Sequence, residues 1–282
     1  METNKSTGEL NAEDYQEPRC LLNMNQGQNQ GPVRSVPMDR IIEKLDEYLG
    51  RNNWGSAERH LDYWLEDALS GGDLKGALAI QGERMGLFRK KERQEEAMAA
   101  VSEALKLLEE TGMEDTLTGA TTYVNIATVY KTFYLSQEAL PYFEKARAIY
   151  ERDLKEADSR LGGLYNNMAL ALADLSRFQE ARTFYEKALA VMEKIPGGAL
   201  EEAVTYLNLA DLAAAEQGFE AAEERVMALL DRGLEKIHTP SLPRDGYFAY
   251  VCETCAPCFR HYGRFADADE LDELSQTIYA GY

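Results

Sequence analysis

Phe178-Gln-Glu-Ala-Arg-Thr-Phe-Tyr-Glu-Lys-Ala188 repeats a stretch that occurs 42 residues earlier, Ser136-Gln-Glu-Ala-Leu-Pro-Tyr-Phe-Glu-Lys-Ala146. Eight of the eleven positions are identical or exchange one aromatic residue for the other. An alanine recurs at the equivalent place, with separations of 40, 42, 42, 41 and 46 residues, at Ala57, Ala97, Ala139, Ala181, Ala222 and Ala268. A period of this length is typical of a chain built from stacked supersecondary units.

Each period carries the hydrophobic spacing of two helices. Apolar residues between Leu164 and Leu175 follow one another at intervals of four, four and three residues, which places them on one helical face. Ser176 and Arg177 are predicted to form a turn, and a second apolar stripe then ends at Val191. Small residues mark the places where first helices approach a neighbour: Ala127, Ala169, Ala210 and Ala256. The sequence predicts an all-α fold of about six stacked hairpins, because one hairpin cannot bury both of its faces alone.

This pattern resembles the tetratricopeptide repeat family, and the 42-residue period is similar to that of the kinesin light chain variety. The resemblance covers roughly residues 38–280 and is most specific in the three central units. It implies a right-handed superhelix, an α-solenoid, with units at residues 38–72, 73–113, 116–157, 158–197, 199–238 and 244–282. It also implies a non-catalytic adaptor whose concave groove binds a protein or an extended peptide segment.

Two other functions are open at this point. One is a regulatory sensor of a small signalling peptide, although the residues before Met38 are too few and too polar for the helix-turn-helix head of related bacterial receptors. The other is a self-assembling structural scaffold, whose groove holds its own tail or a second copy. The sequence leaves the oligomeric state undetermined, and a size measurement in solution would separate the scaffold from the adaptor and the sensor.

The composition disfavours two classes of partner. The chain has 282 residues and a formal net charge of −19. Such a charge repels nucleic-acid phosphates unless a basic face is segregated, and it repels an anionic membrane surface for the same reason. We therefore expect neither nucleic acid nor membrane as a partner. No apolar run approaches the roughly 18 residues of a transmembrane helix.

Residues 1–37 lie outside the repeat pattern and are predicted to form a disordered polar tail. The first part, Met1–Gln16, lacks the apolar core of a secretion signal, and we expect a cytoplasmic protein. The exception to the polar character is Cys20–Met24, a short apolar patch that is a candidate for docking into the groove.

Asn125, Asn167 and Asn208 form a ladder, since each precedes the small alanine of a first helix by two residues. In related superhelices, asparagines at matching positions hold an extended peptide by its backbone. A carboxamide suits this task because it offers a donor and an acceptor together. Helix rows about 10 Å apart would make the ladder roughly 20 Å long, enough for about six extended residues. The alternative is that these asparagines only tie neighbouring first helices together.

Other residues are predicted to line the same groove. Those favoured as peptide contacts are Asn166, Thr128, Lys131, Arg89, Lys90, Leu170 and Asp211. Further positions are Glu43, Asp46, Glu83, Val124, Leu207 and Arg260. Arg89, Lys90 and Lys131 are expected to form a small basic spot beside an acidic first unit. They do not match the lysine-and-arginine clamp with which chaperone-binding members of the family hold a terminal carboxylate, so that ligand class is rejected.

The three cysteines of one predicted helix are interpreted as structural. Cys252, Cys255 and Cys258 have a spacing that cannot close a metal tetrahedron without a fourth ligand, for which Cys20 and His261 are the obvious candidates. A small, soft hydrophobic residue explains them adequately. The three histidines belong to no metalloprotease motif, and no glycine-rich phosphate loop precedes a helix. We expect no catalytic residue, no metal site and no cofactor.

Overall fold

Twelve α-helices follow one another in the computed structural model, which describes residues 34–281. They are α1 (Met38–Gly50), α2 (Trp54–Ser70), α3 (Leu74–Lys90), α4 (Gln94–Thr111), α5 (Leu117–Thr132), α6 (Ser136–Asp153), α7 (Ser159–Asp174), α8 (Phe178–Met192), α9 (Ala199–Gln217), α10 (Phe219–Ile237), α11 (Gly246–His261) and α12 (Phe265–Tyr279). The described part of the chain contains no strand. The all-α solenoid predicted from the sequence is confirmed.

The turn inside each hairpin contains one residue with a positive φ. The residue with a left-handed φ recurs at separations of 40, 42, 42, 42 and 45 residues, in Asn52, Glu92, Tyr134, Ser176, Gly218 and Gly263. After Tyr134, the N–H of Leu135 donates to the carbonyl of Tyr130 at 2.9 Å, and the following hairpin has the same bond. This bond satisfies a carbonyl that the end of the helix would otherwise leave unpaired. The repeat period therefore appears in the backbone φ angles as well as in the side chains.

The repeated alanines lie where the helices meet. All six anchor alanines of the second helices and all four alanines of the first helices are at most 2% exposed. Phe143 and Tyr185, which are 0% and 1% exposed, pack beside them. A methyl side chain lets two helix backbones approach closely, and the aromatic rings fill the space that remains between hairpins. The spacing of small and large residues in the sequence thus determines how the hairpins stack.

The odd-numbered helices from α3 to α11 form a continuous layer. Each packs directly against the next odd-numbered helix, α3 on α5, α5 on α7, α7 on α9 and α9 on α11. The even-numbered helices of the described residues contact their hairpin partners and the next hairpin, with little or no contact among themselves. Helices that touch side by side lie on the inside of a bent stack. We call the exposed side of this odd-numbered layer the inner face.

The packed chain begins two residues before α1. Val36 is 7% exposed, and its N–H donates to Oδ2 of Asp73 at 2.9 Å. The other carboxylate oxygen of Asp73 accepts from the N–H of Gly76 at 3.0 Å and caps α3. Most of the predicted tail, including Cys20–Met24, lies outside the described residues. Among the twelve helices, none combines the length and the apolar character needed to cross a bilayer.

Candidate functional site

The ladder asparagines lie at the junctions between neighbouring helices of the inner face. Asn125 is in α5, Asn167 in α7 and Asn208 in α9, and each side chain is half-buried. By the same repeat register, the equivalent position is Glu83 in α3 and Thr254 in α11. The ladder therefore continues along the whole odd-numbered layer, with other polar residues at its two ends.

Asn208 reaches back to the preceding helix. Its Nδ2 donates to Oδ1 of Asn166 at 3.0 Å, and Oγ1 of Thr205 lies 3.4 Å from the same oxygen. Asn166 and Asn208, both predicted as peptide contacts, are thus brought together by a bond between α7 and α9. This hydrogen bond ties two neighbouring first helices together, which is the alternative to peptide binding that the sequence left open.

Asn125 makes the equivalent approach to α3. A Cβ added at Gly82, which holds the register position of Asn166, would lie 3.4 Å from Nδ2 of Asn125. The amide of Asn125 therefore packs on the backbone of α3 where that helix has no side chain. Asn167 has no side-chain hydrogen bond within residues 34–281 and lines a cavity instead.

This cavity, called the inner cavity below, lies on the inner face between α7, α9 and α11. Its volume is about 350 Å³, and the end of α8 closes one side with Met192. Its polar and aromatic lining consists of Asn166, Asn167, Glu201, Thr205, Tyr247, Tyr250 and Thr254. Gly162 and Gly163 leave room on the α7 side, because neither contributes a side chain. Carboxamide, hydroxyl and aromatic groups therefore converge on one concave site.

Three other predicted contacts are engaged within the chain. The hydroxyl of Thr128 donates to the carbonyl of Val124 in its own helix at 2.8 Å. Lys131 lies 3.9 Å from a carboxylate oxygen of Asp174, which also accepts from a serine hydroxyl of the next turn. Asp211 accepts from the Tyr262 hydroxyl at 2.8 Å and so links α9 to the end of α11. Lys131 and Asp211 thus link neighbouring helices, whereas the Thr128 hydroxyl is satisfied within α5. Leu170 is half-buried against the core.

The charges at the α3 end of the inner face are partly desolvated. Burial lowers the pKa of Arg89, an effect that the nearby Tyr250 hydroxyl opposes, and no carboxylate of the described chain lies within 4 Å of its guanidinium. Burial raises the pKa of Glu83, with Asp46 acting in the same direction and Lys90 opposing it.

Two of the further groove positions are wrong. Leu207 is 4% exposed and packs against Gly233 of α10, so it belongs to the core between the helices of one hairpin. Arg260 is bound by α12, with Asp272 at 2.7 Å and Asp269 at 3.2 Å from its guanidinium. Arg260 holds the register position of Lys131, but the carboxylates of α12 pair with its guanidinium, and the first-helix register does not reveal that contact.

Sequence reasoning missed Tyr247, Tyr250 and Glu201, which provide much of the inner cavity. A signal was present, since Tyr247 and Tyr250 are two large aromatic residues one helical turn apart on a first helix, and both are about half exposed. The hydroxyl of Tyr247 donates to Oε1 of Glu201 at 3.0 Å, which joins α11 to α9. Burial, and next the Glu201 charge, raise the pKa of Tyr247 and keep that donor proton in place.

The three described cysteines lie in α11. Cys252 and Cys255 are 0% and 2% exposed, and burial raises the pKa of their thiols to about 11 and about 12. Burial also raises the pKa of Cys258, whose sulfur lies 3.8 Å from Asp211. Across residues 34–281, no group of three or more His, Cys, Asp and Glu side chains is arranged to hold a metal ion. Cys20, the other candidate ligand, is outside the described residues.

Two family models, both described as tetratricopeptide repeats, match this chain. One covers residues 120–156 and the other residues 160–232. A comparison with the curated proteins gave no match.

Solved structures share the fold. The crystal structure of BtubC (BKLC) from P. vanneervenii has a TM-score of 0.62 and 22% sequence identity, over 71% of this chain and 79% of that chain. A crystal structure of nearly identical TPR-like repeats of a Podosopora anserina putative kinesin light chain has a TM-score of 0.51 and 18% identity, over 72% of this chain and 95% of that chain. At these sequence identities, the comparison with the solved structures establishes a shared fold.

These matches define the class of protein. Residues 120–156 and 160–232 are tetratricopeptide repeats, and the fold of the solenoid is similar to that of the solved kinesin light chain repeats. Repeats of this family serve as protein-interaction modules, so the general role of the chain is that of an interaction adaptor. The matched residues are those of α5 to α10, and the assignment of the outer hairpins as units of the same family stays a prediction.

Proposed function

We propose that this chain is a non-catalytic adaptor that binds an extended segment of a partner protein along its inner face. The observation that carries the proposal is the inner cavity, in which Asn166 and Asn167 lie beside the half-exposed rings of Tyr247 and Tyr250. Concave sites with a few convergent polar groups among apolar ones are the usual binding sites of proteins. The cavity lies on the row of ladder positions, so a peptide that follows the row passes over it.

The bond between Asn208 and Asn166 is compatible with peptide binding. It uses one N–H of Asn208 and one lone pair of Asn166, which leaves Oδ1 of Asn208 and Nδ2 of Asn166 for a ligand. A peptide C=O and N–H would pair with these two groups whatever the ligand's side chains are. Because the bond already holds both carboxamides in one conformation, binding loses less side-chain entropy than it would with free side chains.

The other proposed contacts lie on both sides of this centre. Asn125 and Leu170 continue the path towards α5 and α7, and the guanidinium of Arg89 is in position to donate to a backbone carbonyl of the ligand. Thr128, Lys131 and Asp211 contribute through the helix contacts described above, and Lys90 is exposed at the end of the path.

The test starts from peptides selected on the full chain. A phage library of random 12-residue peptides is panned against the protein, and the Kd of several selected sequences is measured by fluorescence anisotropy. Replacement of Asn125, Asn167 and Asn208 by alanine should then weaken binding about 100-fold or more, since each lost neutral hydrogen bond contributes roughly 0.5–1.5 kcal/mol. The loss should be similar for peptides of different sequence, because the contacts are to the backbone.

Gln179→Ala is the matched control, since it removes an exposed carboxamide from α8, outside the inner face. It should leave each Kd unchanged. Circular dichroism establishes that the triple variant remains folded. Normal peptide binding by a folded triple variant would refute the backbone contacts, and an unfolded triple variant would make the asparagines structural ties. A dimer in solution that dissociates on peptide addition would instead indicate a groove occupied by a second copy.

A further inference from the structure

The inner cavity has an aromatic wall that the protein itself leaves uncovered. The rings of Tyr247 and Tyr250 lie 6.4 Å apart between centroids with 24° between their planes. They are 48% and 52% exposed, whereas Tyr165 of α7 and Tyr206 of α9 are 7% and 1% exposed. Val204, which is half-buried, continues this wall with apolar surface. Large rings left half-exposed in a concavity are available to a ligand.

The lining of the inner cavity carries one formal charge, on Glu201. Its Oε1 accepts the hydrogen bond from Tyr247, and within residues 34–281 no lysine or arginine nitrogen lies within 4 Å of the carboxylate. Glu201 lies in the first turn of α9, at the end of the helix where the backbone dipole attracts negative charge. Arg89 interacts electrostatically with Tyr250 but does not line the cavity. The cavity therefore presents a carboxylate without a cationic partner beside two aromatic rings.

We propose that the inner cavity binds a lysine or arginine side chain of the partner segment and so determines which segments this adaptor accepts. This inference rests on the proposed function, because the side chain must arrive on a peptide that lies along the inner face. The alkyl stem of the ligand packs on Val204, and its cationic head lies between Glu201 and the faces of Tyr247 and Tyr250. Cation–π attraction and ion pairing act together there.

The same geometry disfavours the other side-chain classes. An acidic side chain would meet the Glu201 carboxylate and be repelled. An aliphatic or aromatic side chain of similar length would fill the volume, but it would remove Glu201 from water without supplying a counter-charge, which is costly. The net charge of −19 attracts basic partners in general, so the experiment must separate the cavity from this long-range effect.

The random 12-residue phage library is panned in parallel against the full-length protein, Glu201→Gln and Glu224→Gln. Glu201→Gln keeps the shape of the side chain and removes its charge. Glu224→Gln removes the same charge from the exposed side of α10 and is the matched control. The consensus peptide of the unmodified protein is then synthesised with arginine replaced by citrulline, or lysine by norleucine, and its Kd is measured against each protein.

The unmodified protein and Glu224→Gln should enrich lysine or arginine at one fixed position, and Glu201→Gln should lose that enrichment while still selecting peptides. Removal of the ligand's charge should raise its Kd at least tenfold for the unmodified protein and less than threefold for Glu201→Gln. Peptides selected without a fixed basic position, or equal losses in Glu201→Gln and Glu224→Gln, would overturn the cavity proposal and leave the groove proposal standing. If alanine at the ladder positions also left the Kd unchanged, the groove proposal would fail as well.

Discussion

Asn208 donates a hydrogen bond of 3.0 Å from Nδ2 to Oδ1 of Asn166 and so joins the first helices of two successive hairpins. The same asparagine belongs to the row of polar residues that borders the inner cavity. One residue is therefore in a position to tie helices and to orient a neighbouring carboxamide for a ligand. The two roles are separable by experiment, because stability reports the tie and peptide affinity reports the ligand contact.

Asn208→Ala should lower the free energy of unfolding by about 0.5–1.5 kcal/mol, since it removes a half-buried neutral hydrogen bond. Asn167→Ala is the control, because Asn167 has no side-chain hydrogen bond in the described chain, and it should change stability by less than about 0.5 kcal/mol. Urea denaturation followed by circular dichroism measures both variants. Equal effects of the two substitutions would show that the hydrogen bond between Asn208 and Asn166 makes no specific contribution to stability.

Asp73→Ala should be more damaging than the loss of an ordinary helix cap. Asp73 is 7% exposed and uses both carboxylate oxygens, one for the N–H of Val36 and one for the N–H of Gly76. Its removal leaves a buried donor unpaired as well as α3 uncapped, and should cost about 2–3 kcal/mol. Asn53→Ala removes only the exposed cap of α2, with Ser56 as its partner, and should cost about 1 kcal/mol. Thermal and urea unfolding compare the two, and equal losses would contradict this account.

Tyr134→Gly should stabilise the protein although it removes a large side chain. Tyr134 has a φ of 61° and is 94% exposed. Its backbone therefore adopts an unfavourable left-handed conformation, while its side chain contributes little packing. Gly218 holds the same turn position two hairpins later, where the left-handed conformation meets no Cβ. The expected gain is about 0.5–1 kcal/mol. Tyr134→Ala keeps the Cβ and should show no gain, which makes it the control in the same denaturation experiment.

The buried thiols should make stability fall at alkaline pH. The pKa of Cys255 is raised by burial from 9.0 to about 12, so the folded state holds this proton more tightly than the unfolded state. Its contribution is fully present below pH 9 and is lost as the pH rises towards 12. Since tyrosines and lysines also titrate there, the measurement is the difference between the unmodified protein and Cys255→Ala in urea unfolding from pH 8 to pH 11. A difference that does not shrink with rising pH would contradict the prediction.

Much of the fold follows from residues that are near one another in the chain. The separations of Ala139, Ala181 and Ala222 predict the hairpin period, and all three are buried at helix contacts as expected. The turn at Ser176 was likewise predictable from the apolar stripes on either side. Local spacing is sufficient in these cases because each helix contacts mainly the helices next to it in sequence.

The candidate site was predictable only in part, since its members come from hairpins that meet across the inner face. The ladder positions could be read from their register, but the bond of Asn208 to Asn166 requires the distance between α7 and α9. Leu207 lies one position from Asn208 and is in the core, because a change of 100° around a helix moves a side chain from groove to core.

The sequence by itself determined the class of fold and the length of the repeat. Only the tertiary structure decided which polar residues converge, and it brought Tyr247 and Tyr250 of α11 to Glu201 of α9. The physical reason is that periodicity specifies the contacts between neighbouring helices, whereas a cavity depends on the accumulated rotation of several hairpins and on which side chains are small enough to leave space.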